Sequence, residues 1–182
     1  SRSGAPGPQF QIRVHPTLIP EKHVLASVNG VFNAVAVHGD VVGETLFYGR
    51  GAGQDPTSSA ILSDIAEAAE SLANPRRNLG FLPHGLYGPC KALDSILSEY
   101  YLHLNVQDRP GVIAQIAGIL GNLNIGISSI FQPESADEGA NVPLVMMIHT
   151  ASHAQMRDAL ARISALECVL KTPRMIRVEH FS

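Results

Sequence analysis

The sequence predicts an α+β fold in two segments of different organisation. Residues 25–49 are rich in valine and are interrupted by Asn-Gly and Gly-Asp dipeptides, which are typical of turns between strands. Residues 57–73 instead repeat apolar side chains at helical spacing, and from Tyr100 onward short strand patterns alternate with helical ones. We therefore expect a hairpin and a helix first, followed by a longer alternation of strands and helices.

The first segment is predicted to contain a strand, a hairpin and a helix. Residues 10–14 alternate in the manner of a strand, and residues 31–38 and 41–48 form the two arms of the hairpin. Asp55 is placed to cap the helix that follows, and the helix ends at Asn74 because a proline comes next.

The second segment is predicted to contain six elements between residues 99 and 182. They are a strand at 100–106, a helix opened by Pro110, a strand at 125–131, a strand at 144–150, a helix opened by a capping box of Ser152 and Gln155, and a closing strand over the sequence RMIRVEHF. The order βαββαβ is that of a split βαβ, or ferredoxin-like, arrangement.

Composition argues against several classes of function. The formal net charge is -3 and no basic run occurs, so neither nucleic acid nor an anionic membrane is an expected partner. Cys90 and Cys168 lie far apart and the eight histidines show no metal-ligand spacing, so no metal or redox site is expected. We expect a cytoplasmic protein whose residues 1–9 form a flexible N-terminus.

The glycine-rich stretch at residues 48–60 raises the question of nucleotide binding. Gly49 and Gly51 begin a dinucleotide fingerprint, but Gln54 occupies the position of its third glycine, and no Gly-Lys-Ser/Thr follows. A tight turn before a helix is the favoured interpretation. Contact with a ligand stays open, because alternating glycines allow a close backbone approach and a helix N-terminus attracts anions.

Residues 108–112, with the sequence DRPGV, join the first strand to the first helix of the second segment. Free backbone N–H groups at the helix start can hold a carboxylate, and Asp108 can accept an ammonium group. These are the two charged groups of a free amino acid. The alternative is that the residues only start a helix.

Both segments resemble the C-terminal part of bacterial homoserine dehydrogenase. Residues 13–20 (RVHPTLIP) and 25–65 resemble the end of its catalytic part, and the sequences LNVQDRPGVIAQIAGIL and NIGISSI resemble its regulatory ACT domain. The resemblance implies the remnant of a mixed substrate and dimerisation sheet with a return helix, followed by a ferredoxin-like ACT domain. The implied boundaries are a C-terminal part of the catalytic domain at 10–73, a linker at 74–98 and the ACT domain at 99–182.

The resemblance also implies an activity whose main residues lie elsewhere. The family interconverts L-homoserine and L-aspartate 4-semialdehyde with NADP or NAD, in the route to threonine and methionine. Residues 51–57 are implied to cross back to the cofactor, with Gly51 and Gly53 near the nicotinamide. Because the family's fingerprint glycines, catalytic lysines and homoserine-binding acids precede residue 13, we expect no catalytic residue in this chain. It is expected to be a C-terminal portion or a truncated product, inactive by itself.

An ACT domain implies a free amino acid as effector, here L-threonine as a feedback inhibitor, held between copies of a homodimer or larger homo-oligomer. Asp108 is assigned to the ammonium group and the helix-start amides to the carboxylate. Two alternatives stay open, a stand-alone regulatory amino-acid-binding module without catalysis and a purely structural dimerisation fragment. The residues expected at the effector site are Asp108, Gly111, Val112 and Ile113 of one copy and Asn124, Ile125 and Ser128 of the other.

Overall fold

The computed structural model describes residues 9–74, 88–133 and 141–180. Within these ranges the chain forms two compact units. We call residues 20–74 the hairpin unit and the remaining described residues the sheet unit. In the described residues, no helix combines the length and the apolar character that crossing a membrane requires.

The described residues contain both of the predicted groups of elements. In chain order they are β1 (Thr17–Leu18), β2 (Phe32–Gly39), β3 (Gly43–Arg50), α1 (Gln54–Ala73), β4 (Leu97–Gln107), α2 (Val112–Asn122), β5 (Ile127–Phe131), β6 (Asn141–Ser152), α3 (His153–Ser164) and β7 (Arg174–Val178).

The sheet unit is a five-stranded sheet in the order β1-β7-β4-β6-β5. Strands β4, β5, β6 and β7 pair antiparallel, whereas β1 runs parallel to β7. The run from β4 to β7, with its two helices, is the predicted βαββαβ arrangement, and the α+β fold class is confirmed.

Alternation along the strands places one face of this sheet against the two helices. Every second residue of β4 is buried, from Ser98 to Val106, while its neighbours remain partly exposed. Helix α2 contributes Ile116 and Leu120 to the same core, and α3 contributes Met156. The predicted capping box fixes the start of α3, because Ser152 Oγ accepts from the Gln155 backbone N–H at 3.2 Å.

The hairpin unit contains the predicted hairpin and helix. Strands β2 and β3 pair antiparallel, from Phe32 opposite Arg50 to Gly39 opposite Gly43. Helix α1 ends at Ala73 as expected, yet none of its residues is buried. The predicted apolar face of α1 is not packed against any described residues, and Ile65 on this face is 60% exposed.

The predicted strand at residues 10–14 is wrong. Phe10 makes only an isolated bridge to Cys90, and the strand of this region is Thr17–Leu18, paired with β7. Among the described residues no strand pairs with residues 11–14, and Val14 is 99% exposed.

The predicted cap of α1 by Asp55 is also wrong. Gly53 is the N-cap residue, with φ of 122°, and no side chain caps the helix. A backbone angle that only glycine adopts readily turns the chain into the helix two residues earlier than predicted. Asp55 therefore lies in the first turn, where its carboxylate still opposes the positive end of the helix dipole.

The two units divide the chain differently from the boundaries that the resemblance implied. Residues 9–19 lie with the sheet unit, because Thr17 and Leu18 pair with Arg177 and Val178 of β7. Strand β4 begins at Leu97, inside the expected linker, whose residues 75–87 lie outside the described ranges. The assignment of residues 10–73 to a catalytic domain stays a prediction.

Candidate functional site

A candidate site of the sheet unit lies between the end of β4 and the start of α2. It is an open cleft of about 740 Å³ lined by residues 106–113 and by Gln132. We call it the Asp108 cleft. Four of the seven predicted effector residues, Asp108, Gly111, Val112 and Ile113, line this one cleft.

Local backbone geometry opens this cleft. Strand β4 stops at Gln107, whose N–H donates to the Cys168 carbonyl at 2.9 Å, and the chain then turns towards α2. Gly111 is the N-cap residue with φ of 89°, in the left-handed region. Because no side chain caps α2, the amides of its first turn have no side-chain acceptor among the described residues and face the start of the helix.

The Asp108 carboxylate is the acidic group of the cleft. Its Oδ1 accepts from Gln132 Nε2 at 3.1 Å, and the side chain is partly buried. The cleft thus combines a carboxylate, which can receive an ammonium group, with a helix start that can receive a carboxylate.

Gln132 was not predicted from the sequence. Strands β4 and β5 both run antiparallel to β6, so they are parallel to each other and their C-terminal ends meet at one edge of the sheet. Asp108 directly follows β4 and Gln132 directly follows β5. The contact between the two residues can be predicted only if this strand order is known. The sequence of residues 125–133 by itself does not indicate the strand order.

The other three predicted effector residues do not line this cleft. They lie beyond the C-terminal end of α2, whose 11 residues span about 16 Å at 1.5 Å per residue. Asn124 and Ser128 are exposed, but Ile125 is 4% exposed and lies in the hydrophobic core. Val112 is likewise 2% exposed, so Val112 and Ile125 can offer an effector only their backbone. That the cleft residues of one copy face Asn124, Ile125 and Ser128 of another copy stays a prediction.

The glycines after β3 make a tight turn in the hairpin unit. The N–H of Gly51 donates to the Val31 carbonyl at 3.0 Å, and a Cβ at Gly51 would collide with the Asn33 side-chain amide. Gly53 has a φ of 122°, a backbone conformation that residues with a Cβ atom rarely adopt. Gly51 also lines a shallow depression of about 270 Å³ on the hairpin, which Gly53 does not reach. The structure thus explains why glycine occupies both positions, by lack of space at Gly51 and by backbone conformation at Gly53. The contact of these glycines with a cofactor stays a prediction.

Among residues 9–74, 88–133 and 141–180, no three His, Cys, Asp or Glu side chains lie close enough together to hold an ion.

Comparison with known proteins gives two family matches in succession. Residues 3–66 match the family model of homoserine dehydrogenase, and residues 100–168 match that of the ACT domain. The homoserine dehydrogenase of Pseudomonas aeruginosa is 40% identical over 178 residues, which are 95% of this chain and 41% of the relative. The chain is therefore similar to a C-terminal portion of homoserine dehydrogenase.

Other homoserine dehydrogenases give the same result. That of Neisseria gonorrhoeae is 39% identical over 180 residues, with 95% of this chain and 41% of the relative covered. The crystal structure of a homoserine dehydrogenase from Thiobacillus denitrificans matches with a TM-score of 0.77 and 37% identity, covering 94% of this chain and 39% of that one. The chain thus spans about two-fifths of the length of the homoserine dehydrogenases it matches.

Proposed function

We propose that the chain serves as the C-terminal part of a cytoplasmic oxidoreductase that interconverts L-homoserine and L-aspartate 4-semialdehyde with NADP or NAD, for threonine and methionine biosynthesis. The observation that supports this proposal is the 40% identity to the Pseudomonas aeruginosa homoserine dehydrogenase over 178 residues. The two family matches also occur in the order expected of such an enzyme.

In this proposal the chain contributes the turn at Gly51 and Gly53 to a cofactor site that upstream residues complete. Support comes from the turn itself, since two residues without Cβ atoms precede the uncapped start of α1.

Two measurements test this contribution. The chain joined to the upstream residues of the Pseudomonas aeruginosa relative should oxidise a reduced nicotinamide cofactor when L-aspartate 4-semialdehyde is supplied. The 182-residue chain alone should bind neither NADPH nor NADH tightly. A dissociation constant of about 1 μM for the chain alone would contradict the proposal, because it would require a complete site.

The Asp108 cleft is proposed to hold a free amino acid, L-threonine, as a feedback effector. Asp108 accepts the ammonium group, and the backbone amides at the start of α2 donate to the carboxylate. Asp108 is suited to this role because Gln132 is its one hydrogen-bond partner among the described side chains, which leaves acceptor positions for the ligand. Asn124 and Ser128 of a second copy are proposed to close the site in a homodimer or larger homo-oligomer.

Calorimetric titration with L-threonine, L-isoleucine and L-serine tests the effector. Asp108→Asn removes the charge but keeps an oxygen that can accept from Gln132, so the fold should persist. Since a hydrogen bond to a charged group contributes about 1.5–3 kcal/mol, we expect threonine affinity to fall roughly 10–100-fold. Asp64→Asn, on exposed α1, should leave binding unchanged. If none of the three amino acids gives heat or raises the melting temperature, the effector proposal fails.

A stand-alone regulatory module is a second candidate, favoured by one observation. All described hydrophobic residues that are buried lie between Ile96 and Val178, so the sheet unit has a core of its own. The sequence upstream in the same reading frame distinguishes the candidates, because a dehydrogenase requires a G-x-G-x-x-G motif after a strand there.

A further inference from the structure

A second pocket of the sheet unit lies where the residues that precede β1 cross β7. Residues 12–16 form one wall, residues 175–177 of β7 form another, and Leu93 and His153 complete it, enclosing about 460 Å³. We call it the Arg177 pocket. It shares no residue with the Asp108 cleft.

Arg177 is the unusual group of this pocket. The residue is 8% exposed, yet no carboxylate in the described ranges pairs with it. Its Nη2 donates to His153 Nδ1 at 3.2 Å, so a neutral His153 carries its proton on Nε2. A guanidinium has five N–H donors, and the neutral imidazole uses only one of them. Because burying a cation without a counter-ion is costly, this arrangement is suited to an anion.

Arg13, which also lines the pocket, already has a partner. Its Nη2 lies 2.8 Å from Glu179 Oε1, and its Nη1 donates to Ser98 Oγ at 3.2 Å. Arg13 and Glu179 therefore neutralise each other. Of the two arginines that line the pocket, Arg177 is the one without a carboxylate partner among the described residues, and this single guanidinium matches a monoanion.

The remaining walls are apolar. Leu93 is 54% exposed and Pro16 is exposed, and Met175 and Ile176 add partly exposed apolar surface beside Arg177. A ligand that places a charged end on the guanidinium can therefore bury a short hydrocarbon chain on these side chains.

We propose that the Arg177 pocket binds an organic monocarboxylate with a short apolar chain. The planar guanidinium of Arg177 matches the two oxygens of a carboxylate, and Leu93 and Met175 contact the chain. An amino acid is a poorer ligand here than the corresponding acid without its amino group, because its ammonium would restore the uncompensated positive charge. This preference is the reverse of the one proposed for the Asp108 cleft.

Titration of the full 182-residue chain with 4-methylpentanoate, L-leucine and inorganic phosphate tests the proposal. We expect 4-methylpentanoate to bind with a dissociation constant below about 10 mM, and at least tenfold more tightly than leucine or phosphate. Arg177→Gln should weaken its binding roughly 10–100-fold, the range for loss of a charged hydrogen-bond partner. Arg174→Gln, an exposed arginine on the same strand, should leave it unchanged, as should Asp108→Asn.

Arg177→Lys separates binding from folding, because it keeps the charge and loses the planar fork. It should fold with a melting curve close to that of the parent chain and bind 4-methylpentanoate several-fold more weakly. Equal binding by the parent chain, Arg177→Gln and Arg177→Lys would overturn the proposal, as would the absence of binding by the parent chain. Phosphate or leucine binding as tight as that of 4-methylpentanoate would overturn the assignment of a monocarboxylate.

Discussion

Replacing Gly111 by alanine tests whether backbone conformation sets the start of α2 and with it the Asp108 cleft. Gly111 has φ of 89°, and a Cβ built on it meets no atom within 4 Å. The substitution therefore adds no steric overlap, and its cost is that of holding an L-residue in the left-handed region. That cost is about 1–2 kcal/mol, so Gly111→Ala should lower the free energy of unfolding by this amount.

Gly118 supplies the matched control within the same helix. It also has open space around a Cβ, but its backbone is helical, so Gly118→Ala should raise the free energy of unfolding by about 0.5–1 kcal/mol. Urea unfolding followed by far-UV circular dichroism measures both variants, and melting temperatures should separate by roughly 2–4 °C per kcal/mol in a chain of this size. If Gly111→Ala were as stable as Gly118→Ala, positive φ would not be what determines this turn.

Three further predictions concern other parts of the two units. Ser152→Ala removes the acceptor for the Gln155 N–H and should cost about 1 kcal/mol in urea unfolding, whereas Ser152→Thr should restore most of it. Ile116→Ala, at a residue with 0% exposure, should cost about 2–5 kcal/mol; Ile113→Ala, at 37% exposure, should cost about 1 kcal/mol. Ile65→Lys should reduce concentration-dependent association of the chain in sedimentation experiments, because it interrupts the exposed apolar face of α1; unchanged association would place the contact elsewhere.

The elements of the sheet unit could be predicted because the spacing of apolar residues along the sequence matches the spacing of the buried residues in its strands and helices. Leu102 and Leu104 are fully buried, and the residues between and beside them are only partly buried, so the sequence shows the alternation of a strand with one covered face. The apolar positions of α2 recur at helical spacing, and three of them, Val112, Ile116 and Leu120, are buried. In both cases the information is local.

The features that the sequence did not predict depend on distant pairing. Thr17 and Leu18 form a strand of two residues, too short to show an alternating pattern, and it exists because β7 offers a free edge. Gly53 replaced Asp55 as the cap of α1 through its positive φ, which composition does not reveal.

The candidate site was predicted in part for the same reason. Asp108 and Gly111 lie three positions apart in sequence, so the cleft they line could be inferred from the residues that join a strand to a helix. Gln132 reaches Asp108 only through the strand order. Arg177 meets the residues before β1 through an unpredicted strand pairing, so its pocket has no local pattern.

In the proposed function, this chain brings an amino-acid-sensing site to a homoserine dehydrogenase. The most direct test is the initial rate of NADPH oxidation by the chain joined to the upstream residues of the Pseudomonas aeruginosa relative, measured as L-threonine is added. We expect an active enzyme that threonine inhibits, and an Asp108→Asn variant of equal basal rate that requires roughly 10–100-fold more threonine for the same inhibition. Equal inhibition of the parent and the variant, or an active enzyme indifferent to threonine, would contradict it.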